Sequence, residues 1–372
     1  MASGGKSGFW QRLIGRLADG ADAPPGELST PPAVPMQAPV ASPGRTQSAA
    51  LPDLHDFELG AELGRGAMAI VHKATQRSTG RQVAVKRLAL SREFSAEDLV
   101  DVRERFMREA RAARSLEHPD ILQVVDAGQD GNDTWIALEY VLGRDLSLFT
   151  KAGQLLPVRE VVQIGARLAR ALAYAHSQGV IHRDIKPANV MLDRVNGGLK
   201  LMDFGIARVG DGSRTRTGLV LGTPSFMSPE QLAGMTVDGR SDLYSLGVLL
   251  YQLLSGTLPH QSESMARLMQ LIATEPAPDV RTRRPGLPES LALVLAVALE
   301  KRPELRYASG EQMARDLDAV LVMDLQAEPP APEAARHPDA AFAQTLRLTP
   351  EEAGQNRLSS SEAEPPETPQ AP

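Results

Sequence analysis

Two short motifs and the spacing between them constrain this chain more than anything else in it. His182-Arg183-Asp184-Ile185-Lys186-Pro187-Ala188-Asn189 is followed, fourteen residues after Asn189, by Asp203-Phe204-Gly205. Between them, the apolar runs Val190–Leu192 and Leu199–Met202 flank a turn containing Asn196-Gly197-Gly198, the pattern of a β-hairpin. A hairpin brings its ends together, so Asn189 before the first strand is expected beside Asp203 after the second. An amide oxygen and a carboxylate side by side are the hard ligands that Mg²⁺ takes together with nucleotide phosphates. Asp184 lies one short loop away, where an ionised carboxylate can accept the proton of an attacking hydroxyl. Lys186 offers positive charge to a phosphoryl group being moved.

These residues resemble the catalytic loop and metal-binding motif of the eukaryotic-like (Hanks-type) protein kinases, and the bacterial serine/threonine branch most of all. The resemblance implies an α+β, two-lobed protein kinase fold, with a small antiparallel-sheet lobe carrying one main helix and a larger, mostly helical lobe. ATP and Mg²⁺ are the implied cofactors, and transfer of the γ-phosphoryl group to serine or threonine hydroxyls of proteins is the implied reaction. By resemblance Asp184 is the base or orienter, Lys186 meets the γ-phosphate, and Asn189 and Asp203 hold the metal.

The rest of the family's pattern is found in order. Leu63 to His72 resembles the glycine-rich loop, in which Gly64 and Gly66 let backbone N–H groups approach phosphates; Ala69 stands where the family has a third glycine. Val83-Ala84-Val85-Lys86 reads as a strand, and Lys86 is implied to reach the α- and β-phosphates. Val71 and Ala84 are implied to cover one adenine face and Met191 the other. A helix up to His118-Pro119, with Phe106, Ala110, Ala113 and Leu116 at helical spacing, starts at a Ser95/Asp98 capping box. It carries Glu109, implied to orient Lys86. Trp135 to Val141 reads as a strand into a hinge at Gly143. There Leu138 is the implied gatekeeper, backbone groups of Glu139 and Val141 meet the adenine edge, and Asp145 meets the ribose.

Pro157 opens a helix with Val161, Ile164, Leu168 and Leu172 on one face, stopping near Gly179. Ser241 to Ser255 is apolar nearly all round, as only a buried helix is, and Asp242 at its start matches the acid that holds the family's catalytic-loop backbone. From Asp203 to Glu230 runs a stretch too long for a plain connector, the activation segment by resemblance. Its Glu230 is expected to pair with Arg306. Thr215 and Thr217 are the candidate phosphoacceptors facing Arg183, and Thr223, with Lys186, resembles serine/threonine rather than tyrosine kinases. Ala188 stands where arginine-directed relatives carry a glutamate, so no strong arginine requirement is expected.

Proline marks the edges of the domain. Residues 1–52 hold eight of the 28 prolines and residues 324–372 hold nine, which leaves 53–323 as the kinase domain between two segments too poor in apolar surface to fold. The net charge of −6 is equalled by that of residues 324–372, so the remainder is formally neutral and shows no nucleic-acid footprint. Within the leader, residues 8–18 form a short amphipathic stretch (Trp10, Leu13, Ile14, Leu17), read first as a helical turn or two in a disordered leader and, as the alternative, as a segment that docks to a partner or a membrane surface. In the tail, Thr345 and Thr349 sit in a small apolar island. The chain has no cysteine and no run of about 18 apolar residues, and a cytoplasmic protein with no transmembrane segment is expected. The expected partners are protein substrates and a second copy, met transiently for phosphorylation in trans.

Overall fold

The computed structural model describes residues 54–65, 69–92, 94–95, 97–131, 133–204 and 224–325. The first lobe is one antiparallel sheet: β1 (Phe57–Arg65), β2 (Ala69–Gln76), β3 (Gln82–Leu88), β4 (Val124–Asp130) and β5 (Asp133–Glu139), in the order β1-β2-β3-β5-β4. Alternation along a strand gives the sheet its two faces. Val83 and Val85 point into a small core with Phe57, Ala74, Ala137 and Trp135, whose indole meets the Phe57 ring edge-on at 5.2 Å. Ala84 and Lys86 therefore occupy the opposite face. Directly paired residues share a face, so the pairs Val71↔Lys86, Ala84↔Leu138 and Lys86↔Ile136 bring Val71, Leu138 and Ile136 to that same side.

Helix α1 (Leu99–Arg114) packs against β4 through Val102, Phe106, Met107, Ala110 and Ala113. Its start differs from the capping box read from the sequence. Ser95 and Asp98 do bond, Asp98 N–H donating to Ser95 Oγ at 3.2 Å and the hydroxyl donating to the Asp98 carboxylate at 2.7 Å. That exchange closes a turn of its own, and the regular helix begins after Asp98, which caps nothing with its side chain.

Gly143 joins the lobes at φ +140°, and a Cβ there would lie 2.7 Å from the Leu192 carbonyl, so only glycine passes. In the second lobe, β6 (Arg144–Asp145), β7 (Val190–Asp193) and β8 (Gly198–Leu201) form a small sheet ahead of the helices. These are α2 (Val158–Ser177), a four-residue α3 (Pro229–Leu232), α4 (Gly239–Ser255), α5 (Met265–Thr274), α6 (Glu289–Ala298) and α7 (Gly310–Met323). Helix α2 presents Val161, Ile164, Leu168 and Leu172 inward, as its sequence period demands. Helix α4, buried from Ser241 to Leu254 except at Gln252, is the spine against which α2 and α6 pack. Gly310 starts α7 so close to α2 that a Cβ would overlap the Ala169 carbonyl. No helix among the described residues is long and apolar enough to cross a membrane.

Candidate active site

The hairpin expected between the two motifs is present, with Val190 opposite Leu201 and Asp193 opposite Gly198. Met202 N–H donates to the Asn189 carbonyl at 2.9 Å, so the ladder runs on to the residues that flank it and sets Asn189 beside the approach to Asp203. The loop before the hairpin hangs from one carboxylate. Asp242, 1% exposed in the first turn of α4, accepts the N–H groups of His182 at 2.8 Å and Arg183 at 2.7 Å. His176 on α2 completes the set, its Nε2 lying 2.8 Å from the same carboxylate. A buried carboxylate is tolerable because every one of these contacts satisfies it.

Arg183 and Asp203 are the two non-glycine residues with positive φ among those described, at +67° and +58°. Both lie at the ends of the candidate chemistry, where strain persists only if the surroundings enforce it. The buried His182 ring supplies part of that enforcement. Its Nδ1 accepts from Asp184 N–H at 3.2 Å and its Nε2–H donates to the Met202 carbonyl at 2.7 Å, which fixes the tautomer. The ring also meets buried Phe204 at 4.5 Å, tilted by 56°, which links the first residue of one motif to the middle residue of the other.

The Asp184 carboxylate is held between Lys186 Nζ at 2.7 Å and Asn189 Nδ2 at 2.9 Å. Asn189 also donates to the Asp184 carbonyl at 2.8 Å. Since both bonds use the amide nitrogen, the amide oxygen of Asn189 is left as the hard donor for a cation, across the hairpin end from the Asp203 carboxylate. The donor set fits Mg²⁺ carried in with phosphate oxygens. Among the described residues no group of three or more His, Asp or Glu side chains is arranged to hold a metal alone.

Lys86 has a partner that the resemblance did not name. Its ammonium is bound by both oxygens of Asp203, at 2.8 and 2.9 Å. Lys86 lies on the cleft face of β3, and Asp203, with its left-handed backbone, presents its carboxylate there. Glu109 is half-buried on α1.

Val71, Ala84 and Met191 are all half-buried, the first two on the cleft face of the sheet and Met191 on β7 opposite Asp145. Glu139 ends β5 with its N–H already given to the Gln123 carbonyl at 3.0 Å, so an adenine would have to be met there by the carbonyl. Its side chain is used too, accepting from Gln123 N–H at 2.8 Å and pairing with Lys200 at 2.6 Å. Val141 follows, half-buried against the main core. Asp145 caps the next turn, accepting from Ser147 N–H at 2.9 Å, so a ribose would compete with that bond. Gly64, on β1, pairs with Val71 of β2, and a Cβ on Gly64 would meet nothing among the described residues within 4 Å. Gly66, Thr215, Thr217 and Thr223 lie outside the described residues, as do residues 8–18, Thr345 and Thr349.

Glu230 and Arg306 form the buried pair expected of them, with Arg306 Nη1 and Nη2 at 2.6 and 2.8 Å from the two carboxylate oxygens. Burial raises the Glu230 pKa, but the bonds from Arg306 and Ser241 outweigh it and hold the carboxyl below its usual range. The sequence reading had not singled out the His176 contact or the His182 ring bonds. His176 gives no signal beyond being a polar residue near the end of an apolar helix.

The chain matches the protein kinase domain family over residues 57–317. The serine/threonine-protein kinase PknJ of Mycobacterium tuberculosis is 42% identical over 267 residues, covering 70% of this chain and 44% of that protein. PknB of Mycolicibacterium smegmatis is 41% identical over 271 residues, covering 70% and 42%. The chain thus spans less than half the length of these curated relatives. The crystal structure of the M. tuberculosis PknI kinase domain aligns at a TM-score of 0.58 and 33% identity, covering 71% of this chain and 96% of that one. Two-lobed fold, clamped catalytic loop and sequence match agree, and the chain belongs to the protein kinase domain family.

Proposed function

We propose that this protein is an ATP- and Mg²⁺-dependent serine/threonine protein kinase. The observation that carries the reading is the Asp184 carboxylate, held between Lys186 and Asn189 on a backbone clamped by Asp242, with Asp203 across the hairpin. In this reading Asp184 orients and deprotonates the acceptor hydroxyl, and Lys186 stabilises charge on the transferred group. Lys86 holds the α- and β-phosphates. It is paired with Asp203, and a polyphosphate draws on the ammonium as a divalent cation draws on the carboxylate, so substrate exchanges that pair. Asn189 and Asp203 hold the metal, which when bound neutralises phosphate charge. Glu109 keeps a supporting role on α1. Gly64, Gly66, Val71, Ala84, Met191, Glu139, Val141 and Asp145 form the nucleotide site.

The catalytic unit is 53–323, the reaction belongs in the cytoplasm where ATP is supplied, and substrates are proteins. Activation comes from phosphorylation of Thr215 or Thr217 in trans, within a transient homodimer. Arg183 motivates this, because its Nε is buried without a hydrogen-bond partner among the described residues and a phosphothreonine is a bidentate acceptor. Incubation of the full chain with labelled ATP, Mg²⁺ and a generic protein acceptor should place label on serine or threonine, after a lag that shortens as enzyme concentration rises. Absence of label overturns the kinase reading; label without a lag overturns only the activation step.

A further inference from the structure

Gln231 connects two parts of the site through one side-chain amide. It lies on α3, where Ser228 caps the helix and Gln231 N–H donates to Ser228 Oγ at 3.4 Å. In return Gln231 Oε1 accepts from Ser228 N–H at 2.9 Å and from the Ser228 hydroxyl at 3.2 Å. That is an ordinary capping box. The other end of the amide does something a cap does not require. Gln231 Nε2 donates to the carbonyl of Arg183 at 3.0 Å, forty-eight residues away in the catalytic loop. The partners fix the amide orientation, since the Ser228 N–H needs an acceptor and the Arg183 carbonyl needs a donor.

The Arg183 carbonyl belongs to the same peptide plane as Asp184 N–H. That plane follows a non-glycine residue at φ +67°, a conformation that crowds Cβ against the backbone. Arg183 N–H is tied to Asp242, Asp184 N–H is tied to the His182 ring, and Gln231 ties the carbonyl. Helix α3 is in turn fixed to the interior by the Glu230–Arg306 pair one residue earlier.

We infer that Gln231 is a positioning residue for phosphoryl transfer: its bond to Arg183 holds the strained peptide that aims Asp184, so that catalytic-loop geometry depends on the seating of the Ser228–Leu232 turn. The inference rests on the kinase reading. It predicts a loss in turnover, because an ångström of misplacement at a reacting group costs much of the rate while nucleotide affinity is untouched.

The test measures kcat, KM for ATP and melting midpoint for the full chain and three variants, acting on one protein acceptor. Gln231→Ala should lower kcat about 10- to 100-fold with KM for ATP within about twofold. Ser228→Ala keeps the backbone N–H and the Arg183 bond and removes only the capping hydroxyl. It should lower the melting midpoint by a few degrees and lower kcat far less than Gln231→Ala does. Gln231→Glu is nearly isosteric and guards against misfolding of the alanine variant. Its carboxylate has no proton to donate to the Arg183 carbonyl, so it should lose turnover as Gln231→Ala does, with KM for ATP within about twofold and a melting midpoint near that of wild type. The inference is overturned if Gln231→Ala keeps wild-type turnover, if its loss only matches that of Ser228→Ala, or if Gln231→Glu keeps wild-type turnover. A wild-type chain that transfers no phosphate overturns the kinase reading itself, whereas an active wild type with equally active Gln231 variants overturns the brace alone.

Discussion

The cleft and the interior of the large lobe each hold a short carboxylate–cation pair, and the two differ in what surrounds them. Lys86 and Asp203 are 18% and 26% exposed, on facing sides of the cleft. Arg306 and Glu230 are 0% and 6% exposed, and Arg306 spends further donors on the carbonyls of Glu300 and Lys301, at 2.7 and 2.9 Å. The first pair stays within reach of solvent and ligands and can be exchanged. The second is saturated and enclosed, so it can be broken only by taking the lobe apart. The proposed chemistry draws on the exchangeable side, and the enclosed pair anchors the turn that bonds the loop before the hairpin.

The largest effect tests the cleft side. Asp184→Ala should slow protein phosphorylation by about 10²- to 10⁴-fold, about 3 to 5.5 kcal/mol of barrier, and Asp203→Asn should abolish it. Far-UV circular dichroism and the melting midpoint should stay close to wild type in both. Wild-type turnover in either purified variant would remove the assigned chemistry from the cleft.

Next in size is the enclosed pair. Arg306→Met leaves the Glu230 carboxylate buried and should cost about 3 to 5 kcal/mol in chemical denaturation. Adding Glu230→Leu should recover much of that loss, because the stranded charge has gone. If the single variant unfolds like wild type, the pair is not the anchor its enclosure makes it.

A smaller effect in the same interior depends on pH. Burial, then the Lys301 ammonium 3.1 Å away, push the His260 pKa down from 6.5 to about 4. Between those values the unfolded chain binds a proton that the folded chain refuses, so stability rises with pH there and is complete above about 6.5. Falling pH should therefore remove up to about 3 kcal/mol between pH 6.5 and 4. Glu230, whose folded pKa is depressed, adds its own loss only below its ordinary 4.5. Lys301, pushed down to about 8 by burial and then by Arg306, does not titrate in this window. Urea midpoints measured from pH 7.5 down should start falling near 6.5 in wild type and later in His260→Gln; coincident curves would refute the assignment.

How much of this was legible in the sequence follows from the range of each interaction. The hairpin between Asn189 and Asp203, the period of α2 and the all-apolar α4 are local patterns, and they stand where the spacing put them. Asp242 and Glu230–Arg306 were reached through the family resemblance, because nothing local in Ser241-Asp242-Leu243 announces a partner sixty residues back. The pairing of Lys86 with Asp203 was not legible. It depends on a left-handed residue at Asp203 and on two segments 117 residues apart meeting, both settled by tertiary packing. Gln231 was invisible for a related reason: nothing in Ser228-Pro229-Glu230-Gln231 announces a partner forty-eight residues back, and the bond exists only once the loop carrying Arg183 lies beside it.

The smallest predicted effect discriminates most sharply between the two pairs. If Lys86–Asp203 is exchangeable, its contribution to stability should resemble that of a solvent-accessible ion pair, about 0 to 1 kcal/mol, because water already solvates both groups in part and the Coulomb gain is screened. Lys86→Met keeps the aliphatic stem that packs along β3 and removes only the charge. It should shift the unfolding free energy by less than about 1 kcal/mol while phosphorylation collapses, the reverse of the balance expected for Arg306→Met. A second consequence separates the pair from a merely weak one: MgATP should raise the melting midpoint of wild type, since a ligand that binds only the folded state stabilises it, and should raise that of Lys86→Met much less. A loss of 3 kcal/mol or more in Lys86→Met would show the cleft pair to be as structural as the buried one. The distinction drawn from exposure would then fail, and with it the reason for placing the chemistry where the two lobes face each other.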